Sequence, residues 1–294
     1  MYNSPNLMRL SCYKEVKMQK IILSLVVVGS LYGNSEFSYQ YGAKEYENAK
    51  YKTDGVEQTF GLSYSYGDGK ISGSFLKDEV NLKAHPKSSK LEVEKSNLNL
   101  RHNLFENLSG KVSYIGIRDN LSPTDGGKVY GIGGRYNISK DLGVSLDIYK
   151  SDYKTFDVNQ YDVGIFKGFT LGEVKSKVTF GIKSIQIDGD KYATYTFKDK
   201  EYQTSFVNLS GNLNSFFCGV GAMFGKRVFV VLDDGNKVQH HAMEQEKTYM
   251  FNFGKSFKNF DIALQYNYQN GKELPENQDD VDTKVTSLML KYKF

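Results

Sequence analysis

The 294-residue chain has no tryptophan, only four prolines, two cysteines and four histidines. Each scarcity excludes something. Two cysteines, Cys12 and Cys218, far apart in the chain, cannot make a CxxC zinc or redox site or a disulfide framework, so the fold must stand without covalent staples. Few histidines go with the lack of an HExxH pair, and there is no GxSxG elbow and no complete phosphate-binding loop. "GIGGRY" and "GVGAMFG" look like pieces of dinucleotide loops, but the glycine spacing is wrong and no helix follows. Their glycines Gly131, Gly133, Gly219 and Gly221 read instead as positions that open space or permit bends in strands. No enzyme activity, cofactor or metal is expected. Apart from one short stretch, no run approaches the roughly 18–20 apolar residues of a membrane helix, and the mean hydropathy is −0.49.

The exception lies near the front. "MQKIILSLVVVGSLYGNS" (Met18 to Ser35) places Lys20 before an apolar core, Ile21 to Val28, and follows it with small residues at which Gly33 or Ser35 could precede a cleavage. That is the architecture of a secretory signal with a core too short to span a bilayer, the alternative being a buried strand over the same residues. The preceding stretch lacks such architecture, so translation is expected to start at Met18. Residues 1–35 thus read as an extension plus signal peptide, and 36–294 as one domain. Without the first 35 residues, 34 of the 38 basic and 33 of the 34 acidic residues remain. The near-neutral remainder gives no argument for nucleic acid as a partner.

What the chain does have is glycine (28), tyrosine (22) and phenylalanine (19), a composition of strands and tight turns. From Glu36 onward, apolar and polar residues alternate: Phe37, Tyr39 and Tyr41 against Ser38 and Gln40; Val178, Phe180 and Ile182 against Lys177, Thr179 and Lys183; Ile262, Leu264 and Tyr266 against Asp261, Ala263 and Gln265. Period two with one apolar face means strands with one wet side. Fourteen such segments are predicted, near 36–43, 56–66, 70–78, 91–104, 111–118, 128–137, 143–151, 158–167, 172–187, 201–212, 215–231, 244–255, 260–269 and 284–294. In "KVSYIGIR" and "SFVNLSG" both faces are apolar, which leaves their facing open. Connections alternate long and short, and Pro86, Pro123 and Pro275 all fall in the long class. An antiparallel up-and-down transmembrane barrel requires that alternation, with short turns on the periplasmic side and loops outside, and a soluble sandwich does not.

These features resemble the outer-membrane β-barrels of Gram-negative bacteria over the whole of 36–294. The last strand, "KVTSLMLKYKF", carries Leu288, Leu290, Tyr292 and Phe294 at every second position. The resemblance implies that this series is the insertion signal read by the barrel-assembly machinery. It also implies residence among outer-membrane lipid and lipopolysaccharide. Fourteen strands without an accessory domain look most like the small monomeric porins; fatty-acid transporters share the count but carry an N-terminal plug, for which there is no room here.

The expected function is passive diffusion of small polar solutes. The register turns Arg101, Arg135, Lys175, Lys177, Lys183, Arg227 and Lys291 inward with Asp147, Asp162, Glu173 and Asp261 as pore-lining candidates. Their basic excess suggests weak anion preference. The alternatives are a structural or surface-interaction barrel with a blocked lumen, or a transporter of hydrophobic compounds. "LDDGNKVQHH", with Asp233, Asp234, His240 and His241, reads as a solvated extracellular loop, casual metal affinity or hydrolase chemistry being the lesser readings.

Overall fold

The computed structural model describes residues 34–294. The signal reading falls almost wholly outside them, as does Cys12. Fourteen antiparallel strands close into a barrel. In chain order the first nine are β1 (Ser35–Glu47), β2 (Lys52–Tyr66), β3 (Gly69–Leu82), β4 (Lys90–Phe105), β5 (Leu108–Asp119), β6 (Lys128–Asn137), β7 (Leu142–Asp152), β8 (Phe156–Leu171) and β9 (Val174–Gly189). A small ribbon, β10 (Lys191–Tyr192) with β11 (Tyr195–Thr196), sits in the next loop. The wall resumes with β12 (Glu201–Leu213) and β13 (Phe216–Arg227). A second ribbon, β14 (Val231–Leu232) with β15 (Lys237–Val238), precedes β16 (Met243–Ser256), β17 (Phe260–Glu273) and β18 (Gln278–Lys293). Closure is made by β1 on β18, with Glu36 opposite Lys293 and Glu47 opposite Asp282. A closed cylinder leaves no unpaired strand edge, the condition for placing a sheet in hydrocarbon.

The outer face shows what the alternation is for. Ile132, Leu146, Val163, Leu209 and Leu264 point outward, and Ile132 is 62% exposed. Rings flank this apolar band: Tyr64, Tyr66, Tyr136, Phe260 and Tyr292 toward the short turns, and Tyr41, Tyr130, Tyr161, Tyr249 and Tyr266 on the other side. An aliphatic belt between aromatic girdles is the outer surface of a membrane barrel, where amphipathic rings sit at headgroup level. Beyond the second girdle the outward residues become charged, as at Lys77, Glu92 and Arg118. Leu288 and Leu290 lie in the belt and Tyr292 in the girdle toward the short turns, and His102 stacks on Tyr66 near the short-turn end.

Several strands run further than predicted. β1 reaches Glu47 and β18 starts at Gln278, so connections expected over 44–55 and 270–283 shrink to 48–51 and 274–277. Past the girdle both faces of a strand meet polar surroundings, and the alternation that marks a strand in lipid fades while the ladder continues.

The eleventh predicted strand, 215–231, needs correction. Its wall portion stops at Arg227, after a register shift between Phe224 and Arg227 and a left-handed Gly225 (φ +107°). The apolar run Val228–Val231 turns into the barrel instead of extending its wall. Val228–Val231, expected in the wall, and the loop that follows to 242, expected in solvent, are therefore inside the lumen.

Candidate functional site

The inward loop is fastened at three levels. At its base, Val228, Phe229, Val230 and Val231 are completely buried among Tyr153, Phe156, Ile185, Tyr192 and Phe197. Phe229 meets the rings of Phe156 at 4.7 Å and Tyr192 at 5.7 Å. The Gln160 side chain clasps Val231 from both sides, accepting its N–H at 2.7 Å and donating to its carbonyl at 2.9 Å. Ile115 and Ile117 of β5 face the same cluster, which explains why "KVSYIGIR" is apolar on both sides.

At its tip the backbone is left-handed through Asp233, Asp234 and Gly235, with φ of 50°, 61° and 87°. Glycine is required at the last of these. A Cβ there would lie 2.7 Å from Ser113 Oγ and 3.2 Å from the Tyr149 ring. The turn drives the Asp234 carboxylate against the wall, where it accepts from Arg101 Nη2, from Lys111 Nζ at 2.6 Å and from Arg135 Nη2 at 3.0 Å. Lys111 also holds Asp147 at 2.8 Å and the Tyr149 hydroxyl at 2.9 Å. Asn97 donates to the Gly235 carbonyl at 2.9 Å, and Lys95 to that of Val238 at 2.8 Å. Gly131 and Gly133 open space as expected, but Tyr149 and Asp147 fill it and so build the clamp.

At the third level, beyond the lipid belt, His240 and His241 both place Nε2 on Asp119 Oδ2, at 3.0 and 2.7 Å. Burial, followed by the charge of neighbouring His241, pushes His240 well below the ordinary imidazole range. Burial alone would raise the Asp119 carboxyl, but the hydrogen bonds from the two rings outweigh it and hold it below the usual carboxylate range.

The loop covers the β4–β9 side of the lumen. Along the other side runs a cavity of about 740 Å³, from Glu36, Lys70 and Lys291 near the short-turn end to Lys44, Lys95 and Lys237. Its middle is lined by Ser38, Gln40, Thr59, Asn97, Gln265 and Asn267. Six lysines and four carboxylates border it, so its charge is net positive.

Of the pore-lining candidates, Lys291 borders this cavity, at 4.0 Å from Asp261. Arg101 and Arg135 clamp the loop, Asp147 braces Lys111, and Asp162 pairs with Lys183. Arg227 is wholly buried, donating to Thr248. Lys175, Lys177 and Glu173 gather near the β8–β9 turn, with the Lys177 ammonium 4.4 Å from the Phe166 ring centre. Lys44, Glu57, Asp78 and Lys95 on the cavity wall were missed, although Glu57 and Lys95 share the inward parity of Thr59 and Arg101. Asp119 was missed as partner of the histidines, because 121 residues separate it from His240.

No protein-family model matches the chain, and no curated protein matches it. Solved structures do. A bacterial polysaccharide outer membrane secretin aligns with TM-score 0.55 at 9% identity, over 89% of this chain and 99% of its own. The fold is that of an outer-membrane β-barrel. The Ralstonia pickettii toluene transporter TbuX gives 0.54 at 9% identity, covering 90% of this chain and 91% of that one. The CymD monoaromatic hydrocarbon channel gives 0.53 at 12%, covering 94% and 92%.

Proposed function

We propose that this barrel is a passive channel of the bacterial outer membrane, passing small polar solutes through the conduit left beside its inward loop. The observation that carries this reading is the cavity of about 740 Å³ running between the loop and the β1–β4 and β16–β18 wall, where serine, threonine, amide and charged side chains are interspersed with Met223, Met243, Met250 and Met289. Serine, threonine and amide side chains there can replace water around a solute without binding it tightly, and conduction requires such weak sites. The lysine excess supports a weak anion preference. Toluene or monoaromatic hydrocarbons, named for two structural neighbours, suit this path less well, since six lysines and four carboxylates border the cavity and the buried aromatic cluster is filled by the protein's own side chains. Contact with lipopolysaccharide, and insertion by the barrel-assembly machinery through Leu288, Leu290, Tyr292 and Phe294, belong to the same proposal. Purified protein in planar bilayers is expected to give stable conductance steps, with a reversal potential in a salt gradient displaced toward the anion value. Absence of steps refutes the channel in favour of a blocked structural barrel. A cation-selective reversal potential refutes the preference alone.

A further inference from the structure

The three side chains that converge at the far end of the loop take no part in the ion pairs that clamp its tip. Asp119 ends β5 on the barrel wall, while His240 and His241 come from the far end of the inward loop. Their ligand atoms lie within 4.8 Å of one another. The Asp119 side chain is fully buried, that of His240 is 3% exposed and that of His241 25%, so the cluster is shielded with one face accessible. Both histidines border the cavity, which supplies an entry path.

Asp119 is oriented for this role. Its Oδ1 accepts the backbone N–H groups of Leu121 and Ser122, both at 2.8 Å. That fixes the carboxylate and turns Oδ2 toward the two rings. Two imidazole nitrogens then meet a single buried anionic oxygen. With a divalent ion in place of the ring protons, the same atoms become two neutral nitrogen donors and one oxygen donor. Late first-row ions bind nitrogen and oxygen at about 2.0–2.2 Å, which sets tetrahedral ligand atoms roughly 3.3 Å apart. The Nε2-to-Oδ2 separations are 3.0 and 2.7 Å, so sub-ångström spreading admits the ion.

We propose that Asp119, His240 and His241 form a binding site for a late first-row divalent cation such as Zn²⁺ or Cu²⁺. Three protein ligands leave a coordination position for water on the cavity side, and imidazole with carboxylate suits this class over Mg²⁺ or Ca²⁺. Since the ligands come from wall and loop, the bound ion cross-links the two and secures the far end of the loop.

The test is calorimetric titration of the chelator-stripped barrel in detergent with ZnCl₂, alongside Cu²⁺ electron paramagnetic resonance. The expected result is one saturable equivalent, a Cu²⁺ signal showing imidazole nitrogen, and at least tenfold weaker binding in Asp119→Asn and His241→Gln. His102→Gln, remote on the outer surface, is expected to bind as the parent does. Heat-dependent gel mobility shows that each variant is a folded barrel. No saturable binding by the parent, or unchanged binding in folded Asp119→Asn, overturns the site. The titration needs no current, so the two readings fail separately. A barrel that binds Zn²⁺ but does not conduct overturns the channel, and one that conducts but binds no Zn²⁺ overturns the metal site.

Discussion

Replacing Asp234 by alanine removes the central anion of the loop clamp. Three cations meet there, and their situations differ. The Lys111 side chain is 4% exposed but keeps Asp147 at 2.8 Å when Asp234 is lost. Arg101 and Arg135 are about one-third exposed, so lumen water re-solvates them once the carboxylate is gone. Exposed pairs contribute about 0.2–1 kcal/mol each, and a buried pair broken on one side costs about 3–5 kcal/mol. With water on two of the partners and a substitute for the third, the loss is about 1–3 kcal/mol. Hydrogen bonds from Asn97 and Asn99 to the tip remain. That free energy multiplies the displaced-tip population by roughly 5–150-fold. Single-channel recording in 0.1 M salt is therefore expected to show conductance substates many times more often in the variant than in the parent. Removal of a negative charge beside three positive ones is also expected to move the reversal potential further toward the anion. At 1 M salt, where the Debye length is about 3 Å, the parent is expected to approach the variant. Equal substate frequency and equal reversal potential at 0.1 M refute the clamp.

Gly235→Val places a branched side chain on a left-handed turn against Ser113 and Tyr149. It is expected to cost about 1–3 kcal/mol and to reproduce the Asp234→Ala substates while leaving selectivity near the parent's. Leu264→Arg puts a charge on the lipid belt, where the midplane cost is about 2–4 kcal/mol. Urea titration of refolding into vesicles is expected to show that loss, whereas the same change at Gln203, on β12 beyond the outer tyrosines, is expected to show little. Lys95→Glu reverses one charge on the conduit and breaks its bond to the Val238 carbonyl; the reversal potential is expected to shift toward cations.

Much of the barrel was legible because a strand between lipid and a wet lumen must alternate with period two, and the long–short connections set that alternation apart from a soluble sandwich. Phe37, Tyr39 and Tyr41 had to face one way if Ser38 and Gln40 faced the other, and the pairing of β1 with β18 keeps that parity. Legibility ended where lipid ended: Lys44, Glu45 and Tyr46 extend β1 with polar side chains on both faces, and the sequence pattern reads as loop. Loop placement was illegible for a related reason. Val228–Val231 fits a wall strand as well as an apolar plug, and only the Gly225 turn and the register shift at Arg227 divert it. Asp233 and Asp234 look like any solvated acidic turn until Arg101, Lys111 and Arg135, from three different strands, are seen to converge on one of them.

The fastenings of the loop differ in strength, and the difference sets how it moves. Four fully buried side chains, Val228 to Val231, contribute about 1.5–3 kcal/mol each, hence on the order of 6–12 kcal/mol as an upper estimate against a compact unfolded chain. The Asp234 clamp contributes about 1–3 kcal/mol. Thermal motion therefore releases the tip long before it releases the base. Leu232, Asp233, Asn236 and Lys237 of that tip border the cavity, so the part of the loop held most weakly is the part that faces the open lumen. The apolar base fixes the existence of the constriction, while the ionic tip fixes its width. For that reason salt, and charge changes at Asp234, act on the size of the passage without unseating the plug.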